Sequence, residues 1–195
     1  CHTASAVSFY VLSRRLLRLS IPKSSEQPIL LEASAALSAV LFAVHPLRVE
    51  STVWISERRD LLAGFFGIWA VLTYLRAAQA KDTGRPSTMW FLVSLLLFLA
   101  SLLSKATTVT LPVVLSLLDF YPLGRLRWAH RYGRLQAKSI WMEKIPYWLL
   151  SVVAGAAAIY GQQSGGALTS LQSYGPIDRL VLGAFGSTFY VRKTL

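Results

Sequence analysis

Five apolar runs, near residues 28–44, 61–75, 89–103, 106–120 and 145–160, follow one another with only polar connectors between them. Crossing a bilayer takes about 20 apolar residues, with a lower limit of roughly 17. Several runs are a little short, so tilt or tight packing against neighbours is required. The rival explanation is a soluble protein with buried helices. That needs enough polar surface to cover them. Only 15% of the residues are charged and 54% are hydrophobic, against about a quarter charged in an ordinary soluble domain. A mean hydropathy of +0.48 points the same way. The pattern predicts an all-α, polytopic transmembrane helix bundle.

The two ends of the chain add to this. Residues 4–12 are apolar but too few to span, and Arg14, Arg15 and Arg18 follow them. A signal peptide has the opposite order, basic residues first. The segment 1–17 therefore reads as the back half of a span, and the chain as truncated at both ends. Residues 177–195 hold a short apolar stretch interrupted by Gly183 and Gly186, which suits a helix lying in the interface. The expected spans are 1–17, 28–45, 61–76, 89–104, 106–120 and 145–160, all in one domain. A single cysteine excludes an internal disulfide, and no Cys/His pair has zinc spacing.

A net charge of +11 would suit nucleic acid, but its placement does not. The basic residues fall in alternate connectors: Arg14 to Lys23, Arg76 to Arg85, and Arg125 to Lys144. Alternation of this kind marks cytoplasmic loops. It leaves residues 45–60, Lys105 and 161–178 on the outer or lumenal side.

The connector 45–60 departs from a simple link. It carries His45, Arg48, Glu50, Glu57, Arg58, Arg59 and Asp60, with charges that nearly cancel. Ionisable groups held against hydrocarbon are costly and are a functional-site hypothesis by default. Pro46 suits the first turn of a helix. On a helix running from it into the span near Leu61, Glu50, Trp54, Glu57 and Leu61 share a face. Arg58 and Asp60 flank that face, and Arg59 points away. Arg58 could grip a phosphate-linked substrate bidentately, while a carboxylate could take a hydroxyl proton or hold a divalent cation. An interfacial helix with its charges paired to one another and to lipid accounts for the same residues. Lys105 likewise reads as a snorkelling cation or as a point charge for phosphate. Asp119, before Phe120-Tyr121-Pro122, reads as a helix end beside the basic loop. No P-loop, glycine fingerprint or Ser/His/Asp set is present.

These residues resemble a known family. The segment from His45 to Asp60 is similar to the H-P-L-R-V-E-S-V-x-W-V-S-E-R-K-D run of bacterial-type transmembrane-and-tetratricopeptide-repeat proteins. Ser104-Lys105 with Val109-Thr110-Leu111-Pro112 resembles their S-K-x-x-x-V-T-L-P. The stretch from Leu118 to Arg125 resembles L-D-Y-W-P-L-G-R, Glu143-Lys144-Ile145-Pro146 resembles E-K-x-P, and Lys193-Thr194-Leu195 resembles K-T-L.

The resemblance implies a GT-C glycosyltransferase fold, O-mannosyltransferase-like. The donor would be a polyprenyl- or dolichyl-phosphate sugar, and the acceptor a hydroxyl, on a protein in the eukaryotic members. His45, Glu50, Arg58, Asp60 and Lys105 would bind substrate. The family's usual catalytic base would lie before Cys1, and its repeats after Leu195, so this chain alone is expected to be inactive. Membrane lipid is the expected surrounding, in a bacterial inner membrane or, for a eukaryotic protein, the endoplasmic reticulum. The alternative is a non-enzymatic polytopic protein, a transporter or a membrane anchor for an interaction domain. A transporter would show polar or broken helices at mid-membrane.

Overall fold

The computed structural model describes residues 2–21, 27–45, 58–126, 134–164 and 175–194. Its elements are α1 (His2–Ser20), α2 (Pro28–Val44), α3 (Arg58–Asp82), α4 (Thr88–Ser104), a 3-10 turn (Ala106–Thr110), α5 (Leu111–Phe120), α6 (Arg134–Ser164) and α7 (Pro176–Thr194). All are helical, and no strand occurs among the described residues. The chain divides into two units, Cys1–Gly155 and Ala156–Leu195.

Local chemistry explains the helix bounds. Pro28 opens α2 in the first turn, where a missing N–H costs nothing. Helix α3 has Asp60 in its first turn and Lys81 in its last, both favourable to the helix dipole. It ends at Gly84, whose φ of 69° suits a residue without a Cβ. There the Gly84 N–H donates to the Lys81 carbonyl at 3.0 Å and the Arg85 N–H to the Ala80 carbonyl at 2.8 Å. This is the paired closure of a Schellman cap.

The run 106–120 does not form one helix. Thr107, Thr108, Val109 and Thr110 are β-branched and helix-poor. They form the 3-10 turn, and the α-helix restarts with Pro112 in its first turn. The ten residues of α5 reach only about 15 Å. By contrast, α3 has 25 residues and α6 has 31, with Pro146 inside it. Two helical stretches, Arg58–Asp82 and Lys138–Ser164, are long and apolar enough to cross a membrane, with mean hydropathies of 1.6 and 1.2. Helices α2 and α4 and the 106–120 segment are shorter.

Within the first unit α3 is the central element. Ala70, Tyr74, Leu75 and Ala78 are sealed against Phe98 of α4, Leu115 of α5 and Tyr147 of α6. Ala63, Gly67 and Ala70 give α3 a small-residue face toward α4. Ser101 Oγ donates to the Ala63 carbonyl at 2.7 Å, and Ser94 Oγ to the Ala70 carbonyl at 2.7 Å. A Cβ on Gly67 would stand 3.5 Å from Ser101 Oγ. Close approach through small residues, pinned by serine hydroxyls, is how helices pack where water does not drive them together. Outside this seam Leu92, Leu96, Leu99 and Leu103 of α4 form an exposed stripe at helical spacing.

The contacts also fix directions. Ser5 near the start of α1 bonds the Leu61 carbonyl, and Arg15 near its end bonds Gln79. So α1 runs parallel to α3. His2 meets the Ala43 carbonyl at 3.0 Å, which turns α2 antiparallel to α1. The serine bonds make α4 antiparallel to α3. Asp60 and Lys81 therefore mark opposite ends of the unit, about 30 Å apart at 1.5 Å per residue.

In the second unit, the Gly175 N–H donates to Asp178 Oδ2 at 3.0 Å, capping α7. Ile177, Leu180, Val181, Phe185 and Phe189 of α7 are exposed.

Candidate functional site

Two of the five expected site residues meet directly. Because α3 and α4 are antiparallel, the start of α3 lies beside the end of α4. Helix α4 stops at Ser104, and Lys105 is extended, its N–H closing onto the Ser101 carbonyl at 3.1 Å. The Lys105 ammonium then reaches Asp60 Oδ2 at 2.8 Å. Both side chains are about one-third exposed, 33% and 29%, so the pair is anchored yet still reached by solvent. An ammonium oriented by a carboxylate presents a point charge suited to phosphate.

His45 follows the last residue of α2 in an extended conformation, at the end where the start of α1 packs against the end of α2 and the start of α3. Arg58 and Arg59 are both exposed in the first turn of α3, so burial does not separate them. Glu50, Trp54 and Glu57 lie outside the described residues, and with them the helix expected from Pro46. Among the described residues no group of three or more His, Cys, Asp or Glu could hold a metal ion.

At the other end the structure gathers a cluster that the sequence reading passed over. Asp119 and Lys144 are sealed, with side-chain exposures of 0% and 1%, and they pair with each other. The Tyr74 hydroxyl donates to Asp119 Oδ2 at 2.6 Å, and the Lys144 ammonium also contacts that hydroxyl. The same ammonium stands 4.6 Å above the Tyr74 ring. Arg125 bridges Asp119 at 3.3 Å, Glu143 at 3.1 Å and Asp82 at 3.2 Å. Lys81 closes the set by pairing with Glu143 and donating to Ser139 at 3.0 Å.

Burial opposes the charge on Arg125, but hydrogen bonds and charge from Glu143, followed by Asp119, outweigh it and push its pKa above the ordinary arginine value. Three acids face three bases, and each is ion-paired. Such a cluster ties α3, α5 and α6 together and offers substrate nothing unpaired.

Asp119 does stand near a helix end, as expected, but as the hub of a network. The signal was present in the sequence. Asp119, Arg125, Glu143 and Lys144 are the charged residues of two of the resembling segments, 118–125 and 143–146.

Comparison with known proteins finds partial likeness. About half of the chain is homologous to the TMTC protein O-mannosyl-transferases. It is 31% identical to human protein O-mannosyl-transferase TMTC4 over 94 residues, 47% of this chain and 13% of the relative. It is 33% identical to human TMTC1 over 110 residues, 54% of this chain and 12% of the relative. It is 35% identical to Drosophila melanogaster Tmtc2 over 88 residues, 44% of this chain and 9% of the relative. The chain thus spans about a tenth of the length of these relatives. No family model matches it, and no solved structure matches it significantly.

Proposed function

We propose that this chain is part of the membrane domain of a bacterial-type GT-C glycosyltransferase, which moves a sugar from a polyprenyl- or dolichyl-phosphate donor to a hydroxyl acceptor on the outer or lumenal face. The observation that carries the reading is the half-open Lys105–Asp60 pair. It joins two separate resembling segments at one end of the helices. The membrane setting is supported by the serine-pinned small-residue seam, by the exposed leucine stripe, and by polar ends spaced about as far apart as a hydrocarbon core is thick, roughly 30 Å.

In this reading the acceptor oxygen attacks the anomeric carbon as the bond from that carbon to the donor phosphate breaks. The lipid phosphate leaves with the electron pair, and a carboxylate takes the hydroxyl proton. Lys105 and Arg58 hold the phosphate as its charge grows. Asp60 aims the lysine, and His45 and Glu50, of the same resembling segment, are assigned to substrate binding with it. Cations fixed where charge develops lower the barrier without reorganising. A lipid-phosphate leaving group also removes any need for a nucleotide site.

The test is mannose transfer from polyprenyl-phosphate mannose by the intact protein in proteoliposomes. Lys105→Gln should cut transfer about tenfold or more, the worth of one charge-assisted contact. Wild-type transfer by that variant would overturn the reading.

A further inference from the structure

Far from the Lys105–Asp60 pair, α1, α3 and α4 border a groove of about 530 Å³. Four guanidinium groups line it: Arg14, Arg15, Arg18 and Arg76. One carboxylate answers them. Glu32 of α2 accepts from Arg14 at 2.7 Å and from Arg18 at 3.0 Å, and also takes the Tyr10 hydroxyl at 2.5 Å. Arg15 instead donates to the neutral Gln79 amide. The Arg76 guanidinium lies 4.0 Å from the centre of the Trp90 ring, a cation–π contact that orients it but leaves its charge uncancelled. Among the described residues, no acidic side chain lines the groove itself. Four like charges held around one opening repel one another, and a bound anion relieves that repulsion.

Below the arginines the walls are apolar. Val11, Leu72 and Trp69 form them, with Thr73 beside them and Trp90 bordering Arg76 at the rim. Trp69 is held in place by its indole N–H, which donates to Ser8 Oγ at 3.0 Å. Trp69 and Arg76 are seven residues apart on α3, so the groove runs about 10 Å along the helix from its charged rim. A free phosphate would fill only the rim. A phosphate head group carrying an acyl chain would fill both parts.

We propose that this groove binds one anionic glycerophospholipid, its phosphate among Arg15, Arg18 and Arg76 and an acyl chain along Trp69 and Leu72. Basic pockets between membrane helices bind such head groups. The site is separate from the proposed donor site, since Asp60 and Arg76 are about 24 Å apart along α3. The inference rests on the membrane reading above, and not on transferase activity or on which end is cytoplasmic.

Native mass spectrometry of the detergent-solubilised protein tests it, with palmitoyl-oleoyl phosphatidic acid titrated against palmitoyl-oleoyl phosphatidylcholine. One phosphatidic acid should be retained preferentially. The double variant Arg15→Gln/Arg76→Gln, which spares the Glu32 ion pairs, should weaken that retention about tenfold or more. Arg85→Gln, at the same end but outside the groove, should leave it unchanged. Displacement by inorganic phosphate would make this a free-anion site and overturn the lipid assignment. So would equal retention of phosphatidylcholine, or unaltered retention by the double variant. A second measurement needs no variant. Brominated phosphatidic acid should quench the tryptophan fluorescence of the wild-type protein more than brominated phosphatidylcholine does, and equal quenching would also overturn the proposal. No sugar transfer is read in either assay, so failure here leaves the transferase reading standing.

Discussion

Asp119 and Lys144, 25 residues apart in sequence, form an ion pair from which solvent is excluded. Each side chain would be expensive to bury alone. Together, with Tyr74 and Arg125 filling the remaining positions, they hold the short α5 and the long α6 on α3. Removing one partner leaves an unpaired buried charge, whereas replacing both with apolar residues does not.

Asp119→Asn and Lys144→Met should each destabilise the protein by about 3–5 kcal/mol. The double variant Asp119→Leu/Lys144→Met should recover much of that loss. Thermal unfolding in detergent, followed by helical circular dichroism, reads the difference. Additive losses in the double variant would show that the two residues act independently.

The Lys105–Asp60 pair is half-open, and its predicted signature is the reverse. Asp60→Asn should change the unfolding temperature little, because exposed pairs contribute about 0–1 kcal/mol. Sugar transfer from the lipid-phosphate donor should nevertheless fall, with the larger effect on donor affinity. Unchanged donor affinity would leave the pair as a surface feature.

Arg58→Lys keeps the charge but loses the bidentate fork. It should impair transfer in the intact protein, while Arg59→Lys should be nearly silent. Turnover of both variants at matched expression decides the matter, and equal near-wild-type values would remove Arg58 from the phosphate site.

Gly67 faces Ser101 and Thr108 at ordinary contact distances, so Gly67→Ala has room. Gly67→Leu should push α4 away from α3 and cost about 1–3 kcal/mol through overpacking. Melting temperatures of the two variants compare them directly.

If the alternating basic connectors face the cytoplasm, Lys81 and Arg131 should lie there and Glu57 and Gln172 outside. Single cysteines at these four positions, with Cys1 replaced, can be probed in intact cells with a membrane-impermeant thiol reagent. Labelling at 57 and 172 but not at 81 and 131 is expected.

Legibility in the sequence followed the physics of each feature. Helix class was readable because apolar runs have a clear composition, and the structure is all-α. The break at 106–110 was not read, since the run 106–120 is apolar on average, and hydropathy does not register β-branching. Asp60 and Lys105 could be assigned to one end because alternation of spans brings the start of one helix beside the end of the next. Their ion pair needed coordinates. Asp119 was read only locally, because its partners Tyr74 and Lys144 are 45 and 25 residues away, beyond any helical period.

The balance of three acids and three bases in the Asp119 network has a consequence for how orientation is encoded. In an inserting, still unpaired chain, Lys81, Arg125 and Lys144 would count toward the basic connectors. Once the helices meet, their field cancels within the network and fades beyond roughly one Debye length, about 8 Å. The folded protein therefore shows the headgroups a weaker positive end than its sequence advertises, carried by residues such as Arg15, Arg76 and Arg85. Part of the positive charge in these connectors is thus neutralised within the fold, at Lys81, Arg125 and Lys144.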